Sequence, residues 1–259
     1  MPQKTVQEAI AYRRSVRVYD SNQLIDSKIV KECIRQATFA PTSSNLQLWE
    51  FYHITQEDTK EALTKACLNQ NAARTASQFV VLVTRKDKWK SRVNANLDFL
   101  NHQFGQKELR NSKREKMAKN YYTKIIPTLY TDFLGILGIL KRFLVTIQGI
   151  SKPMYRQVLQ SDLDIVAHKS TALAAQNFMI SMAANSYDTC PMEGFDSKRV
   201  KSILGLPKKA MITMVISCGI RGKGGIYGPQ NTRWIANLFQ GKTTSSKSTG
   251  GGQKRKYFT

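Results

Sequence analysis

Arg13, Arg14, Ser15, Val16 and Arg17 place three guanidinium groups and a hydroxyl within five residues. That donor set can grip a phosphate bidentately while the serine completes its hydrogen bonds. Alone it is ambiguous, because arginines at a helix end also serve as solvated charge. Cys190-Pro191-Met192-Glu193-Gly194-Phe195 reads as a turn, with a carboxylate that could act as a base but has no partner in the sequence. His53, His102 and His168 are isolated from any Ser, Cys or carboxylate cluster, so neither a hydrolytic triad nor a metal centre is indicated. Gly222 to Gly228 (GKGGIYG) imitates a dinucleotide-binding loop, but Tyr227 stands where the third glycine belongs and Pro229 follows in place of a helix. It is expected to be a plain loop.

The balance of charge says anion without saying which one. Forty Lys and Arg against eighteen Asp and Glu give a net +22, a field that attracts phosphorylated cofactors, nucleic acid or acidic lipid alike. Between Arg85 and Lys124 there are twelve basic residues against four acidic, and after Gly241 five basic and none acidic. Neither stretch interleaves aromatics with its charge or carries a nucleic-acid reading motif, so a solvated basic helix and a flexible tail are expected. Cys33, Cys67, Cys190 and Cys218 form no CxxC pair and read as reduced cytoplasmic thiols. The N-terminal MPQKTVQEAI lacks the apolar core of a signal peptide. From Tyr130 to Ile147 the chain turns apolar, but Asp132, Lys141 and Arg142 interrupt the run well short of the roughly 20 residues a spanning helix needs. A lid or interface helix is expected there rather than contact with a membrane surface.

These residues need elements to position them. Thr5 and Glu8 have capping-box spacing for a short helix that runs into the arginines, and Asp26 caps a second, with Ile29, Val30, Cys33, Ile34 and Ala37 facing inward until Pro41 stops it. Residues 49–54, 79–83 and 211–218 have strand character, and 57–69 helical character. Residues 162–185 form a helix apolar nearly all round, and Asp196 caps another that ends at Gly205. The order is that of an α+β domain with one core over residues 1–241, an excursion over 86–160 that breaks away from it, and a basic tail over 242–259.

Together, RRSVRVYD at 13–20, APTSSNLQLWEF at 40–51, ASQFVVLV at 76–83, DTCPMEGFD at 188–196 and Arg233 resemble the nitroreductase family, in order and across most of the chain. The resemblance implies a central mixed β-sheet flanked by helices, an intertwined homodimer, and FMN bound non-covalently at the subunit interface. It assigns the FMN phosphate to Arg13, Ser15, Arg17 and Arg233, with Arg14 contributing backbone and ring-edge contacts. Ser43, Ser44, Asn45 and Gln47 would reach the flavin from the partner subunit, and Asn69 would touch the ring and ribityl chain. Pro191, Met192, Glu193 and Gly194 would lie along the isoalloxazine, a backbone N–H of Glu193 or Gly194 donating to N5. Leu48, Asn231 and Ala72 depart from the family pattern; the last two stand where lysines are common and remove local positive charge.

The activity so implied is transfer of hydride from NAD(P)H to a nitroaromatic, quinone or similar electron-poor acceptor. No side chain is then needed as a catalytic acid, base or nucleophile, because the flavin performs the chemistry. Reductive dehalogenation or dehydrogenation on the same flavin cradle is the alternative within the family. A basic protein that binds nucleic acid or a membrane surface is the alternative from another class.

Overall fold

A computed structural model describes residues 3–105, 112–131 and 136–229. Four strands, β1 (Trp49–Ile54), β2 (Gln78–Thr84), β3 (Asp188–Met192) and β4 (Met211–Gly219), form one sheet in the order β1-β2-β4-β3, each neighbouring pair antiparallel. The only parallel pairing among the described residues is the bridge between Ser15 and Thr189. It lies at the edge where the phosphate-binding residues were expected.

Strand β2 is buried along its whole length, as a strand covered on both faces must be. Val80 and Leu82 face α2 (Ser27–Ala37) and α9 (Gln160–Ala184), packing with Phe178, Met182 and Ile216. Phe79, Val81 and Val83 face the opposite way, toward α3 (Glu57–Ala66), α4 (Asn71–Arg74) and α10 (Ser197–Ile203). The α+β plan with helices on both sides of a sheet therefore stands. Asp26 and Asp196 cap α2 and α10 through their side chains, and Thr5 and Glu8 close a reciprocal capping box on α1 (Val6–Tyr12).

Three boundaries differ from expectation. Helix α3 ends at Ala66 because Leu68 and Asn69 turn left-handed, with φ of 58° and 52°. Residues 188–192, expected as the approach to a turn, are an edge strand. Pro191 is tolerated there because an edge position leaves one side of the strand without a ladder partner. Residues 86–160, expected as one helical excursion, divide into several helices: α5 (Trp89–Gly105), α6 (Ser112–Asn120), a π-helical turn over Tyr121–Ile125, α7 (Ile126–Tyr130) and α8 (Ile136–Gln148). Among the described residues no helix is long and apolar enough to cross a membrane.

The excursion is fastened where it leaves the sheet. Arg85, 8% exposed, ends β2 and is held by Glu50 at 2.6 Å and Asp87 at 2.9 Å, while Lys88 also reaches Glu50 and Lys86 reaches Asp164 of α9. Burial by itself would raise the Glu50 carboxyl, but hydrogen bonds and charge from Lys88 and Arg85 outweigh it and hold the group below its ordinary value. A carboxyl held down in the folded chain contributes stability above its unfolded pKa and loses it as pH falls through the folded one. Glu50→Gln should therefore be less stable than the parent at pH 7, and the gap should narrow below about pH 4.5, the ordinary value. Urea unfolding at the two pH values measures it.

Candidate functional site

After Tyr12 the chain leaves α1 with Arg13 already extended, so the basic run lies beyond the helix as a strap across the sheet edge. The Val16 amide donates to the Thr189 carbonyl at 3.1 Å, the Arg17 amide to Gly225 at 2.6 Å, and the Tyr19 hydroxyl to the Ser217 carbonyl at 2.9 Å. Gly225 allows the close approach, since a Cβ there would collide with the Val18 carbonyl. The GKGGIYG segment is thus a loop, as expected, and its work is to back the strap.

The strap leaves two of its cations, Arg13 and Arg17, uncompensated among the described residues. Arg13 and Arg17 are half-buried, and neither guanidinium has a hydrogen-bond or ion-pair partner among the described residues. Asp188, the carboxylate at that edge, is 1% exposed at its side chain and already taken: Arg221 donates to it from its backbone N–H at 2.8 Å and from Nε at 2.9 Å. Arg221 also stacks on the Tyr12 ring at 4.1 Å and bonds the Tyr12 carbonyl, which fixes the end of α1. Thr189, bridged to Ser15, holds a buried hydroxyl with no hydrogen-bond partner among the described residues. The Cys190 thiol is pushed up by burial, with the charges of Arg17 and Arg13 pulling it the other way. Both guanidinium groups therefore act electrostatically at the start of the 190–194 segment.

That segment supplies donors. Past the end of β3, Glu193 and Gly194 are exposed, and their backbone N–H groups meet no acceptor among the described residues. Gln70 donates to the Gly194 carbonyl at 2.7 Å, and Asn71 to the Tyr227 hydroxyl at 3.2 Å. These two neighbours of Asn69 were missed in the sequence. Asn69 itself is exposed and left-handed, and its side chain makes no hydrogen bond among the described residues. The left-handed pair Leu68 and Asn69 turns the chain so that the next two residues reach this edge. A polar pair opening a helix next to a glycine-bearing turn was the available signal.

Ser43, Ser44, Asn45 and Gln47 sit elsewhere. Ser44, Asn45 and Gln47 have φ of 55°, 49° and 46°, conformations that non-glycine residues adopt at a cost of about 1–2 kcal/mol each. The excursion holds them there: Tyr121 bonds the Ser44 hydroxyl at 2.7 Å, Tyr122 the Ser44 carbonyl at 2.9 Å, and Asn96 the Asn45 carbonyl at 3.0 Å. Ser170 of α9 receives the Ser43 amide at 3.2 Å. No hydrogen bond or ion pair joins this loop to the Arg13 and Arg17 group among the described residues. The expected site residues thus form two clusters, while Arg233 and Asn231 lie outside the described residues.

Other chemistry finds no footing here. Cys33 and Cys67 are pushed up to about 12 and about 11 by burial, so neither offers a thiolate near neutrality. His53 bonds Gln78 at 2.7 Å and His168 bonds Thr213 at 3.0 Å, both as structural contacts.

Comparison with known proteins bears on the family and the fold. The model of the nitroreductase family matches residues 10–220. The DrgA protein of Synechocystis is 27% identical over 214 residues, covering 83% of each chain. A provisionally named NAD(P)H nitroreductase of Staphylococcus haemolyticus is 26% identical, covering 78% of this chain and 79% of its own. Among solved structures, a provisionally named nitroreductase of Exiguobacterium sibiricum, determined in complex with FMN, superposes with a TM-score of 0.60 at 21% identity, covering 89% of this chain and 95% of its own. At that identity the likeness speaks for the fold alone.

The clasp behind the strap can be tested by itself. Arg221→Ala strands a buried Asp188 charge and should cost about 3–5 kcal/mol in denaturant unfolding. Arg221→Ala combined with Asp188→Asn should recover a measurable part of that loss.

Proposed function

The chain belongs to the nitroreductase family, and we propose from that premise that it is an FMN-dependent oxidoreductase passing hydride from NAD(P)H to a nitroaromatic, quinone or similar electron-poor acceptor. The observation that carries the proposal is the pair of half-buried guanidinium groups of Arg13 and Arg17, without a partner among the described residues, at the sheet edge whose strand leads into Glu193 and Gly194, whose amides likewise meet no acceptor there. A buried cation without a counter-charge is costly. A phosphate monoester carrying close to two negative charges removes that cost.

The donor set fits FMN. Arg13, Arg17 and the Ser15 hydroxyl would hold the phosphate, with Arg14 at the strap and Arg233 from the C-terminal segment. The amide of Glu193 or Gly194 would donate to ring N5, with Pro191 and Met192 beneath the ring. Asn69 would touch the ring and ribityl chain, with Gln70 and Asn71 holding Gly194 and Tyr227 beside it. When bound, FMN supplies the hydride chemistry that this chain's side chains do not. The protein's part is to place donors where negative charge develops and to offer the acceptor an oriented face.

We further propose a homodimer, with Ser43, Ser44, Asn45 and Gln47 completing the partner's site. This accounts for a loop held in costly backbone conformations while unconnected to its own strap. Ile165 and Leu173, exposed at 56% and 49% on the outer side of α9, supply apolar surface for the subunit contact.

The purified protein should show flavin absorption, or acquire it on addition of FMN, and should bleach when NADH or NADPH is added without oxygen. A colourless protein that takes up no FMN would overturn the proposal. Arg13→Ala and Arg17→Ala should each weaken FMN binding about 10- to 100-fold, the worth of one charge-assisted hydrogen bond, with the far-ultraviolet circular dichroism unchanged. Glu193→Gln should lower turnover only mildly, since its backbone is the donor. Abolished turnover with FMN still bound would assign the carboxylate a chemical role.

A further inference from the structure

Helix α8 turns its apolar side outward. Ile136, Ile139, Leu140, Phe143, Leu144 and Ile147 follow the spacing of one helical face and are exposed by 47% to 68%. Gly138, on the opposite side, is buried against the rest of the excursion. The stripe continues past the helix in Ile150, 86% exposed. Isolated exposed aliphatics are ordinary, but six on one face of a thirteen-residue helix form a contiguous patch that demands a partner.

Charge selects the partner. Lys141 and Arg142 border the stripe on its two sides and bond the carbonyls of Thr131 and Arg156, which hold the helix to the body with its apolar face outward. Lys124 and Lys152 are exposed nearby in sequence, without a polar partner among the described residues. From residue 112 to 158 there are nine Lys and Arg against two acidic residues. A second copy docked on this face would set two strongly cationic segments against each other. An anionic lipid surface would instead accept the apolar stripe among its acyl chains and the flanking lysines among its headgroups.

We propose that α8 docks the protein onto an anionic bilayer, lying in the plane of the headgroups. Thirteen residues cannot cross a bilayer, so the contact is superficial and reversible. It weakens as salt screens the headgroup charge.

The test is co-flotation of the full chain with vesicles of phosphatidylcholine alone and with about one third phosphatidylglycerol, at several salt concentrations. The parent should float only with the anionic vesicles. Leu140→Asp combined with Phe143→Asp should reduce the bound fraction about tenfold or more, leaving circular dichroism and sedimentation unchanged. In Phe143→Trp, the added emission should shift to the blue with anionic vesicles alone. Absence of flotation would overturn the proposal. So would a double variant that floats as well as the parent, because charge elsewhere would then suffice, or one that falls from dimer to monomer, because the face would then bury a second copy.

Discussion

Two cations are held half-buried because the carboxylate at their edge is committed elsewhere. Asp188 accepts hydrogen bonds from Arg221 at backbone and side chain, and that pair is strong enough to keep it from Arg13 and Arg17. The strap is meanwhile sewn down at Val16, Arg17 and Tyr19, which fixes the backbone from which both arginines project. Uncompensated charge at a fixed position is a form of preorganisation: the cost of assembling it is met by folding and recovered when an anion arrives.

The second cluster obeys a similar rule with different materials. Left-handed Ser44, Asn45 and Gln47 present a loop shape that the chain would not adopt unaided, and Tyr121, Tyr122 and Asn96 restrain it from outside. The excursion is therefore a brace for this loop as well as a cover. Its own anchorage at Arg85, Glu50 and Asp87 ties that brace to the end of the central strand.

Much of this was legible in the residues. Caps at Thr5, Asp26 and Asp196 announced their helices, because a side-chain oxygen three positions ahead of an apolar pattern has one favoured local use. The apolar run of residues 79–83 announced a strand, while its cover on both faces became visible only in the packing. The strap was readable as chemistry, three guanidinium groups and a hydroxyl, but its extended shape was hidden, since that depends on Thr189 and Gly225 far along the chain. Asn69 was readable as a polar residue, but its left-handed backbone, and the contacts its neighbours Gln70 and Asn71 make with Gly194 and Tyr227, were not, because sequence spacing does not record φ. The excursion was legible as helical, but the division into helices was not, because they lean on one another and on α9. The outward stripe of α8 was visible as hydrophobicity, but its exposure was a matter of packing alone.

The strap also bears on how the polypeptide is made. Arg17 is stitched to Gly225 and Tyr19 to Ser217, so residues from the first tenth of the chain wait for residues from its last fifth. Contacts of such long sequence separation form late and slowly. During synthesis the arginines leave the ribosome about two hundred residues before Ser217 and Gly225 do. A nascent chain thus carries this basic segment unfastened until β4 and the loop after it have been made.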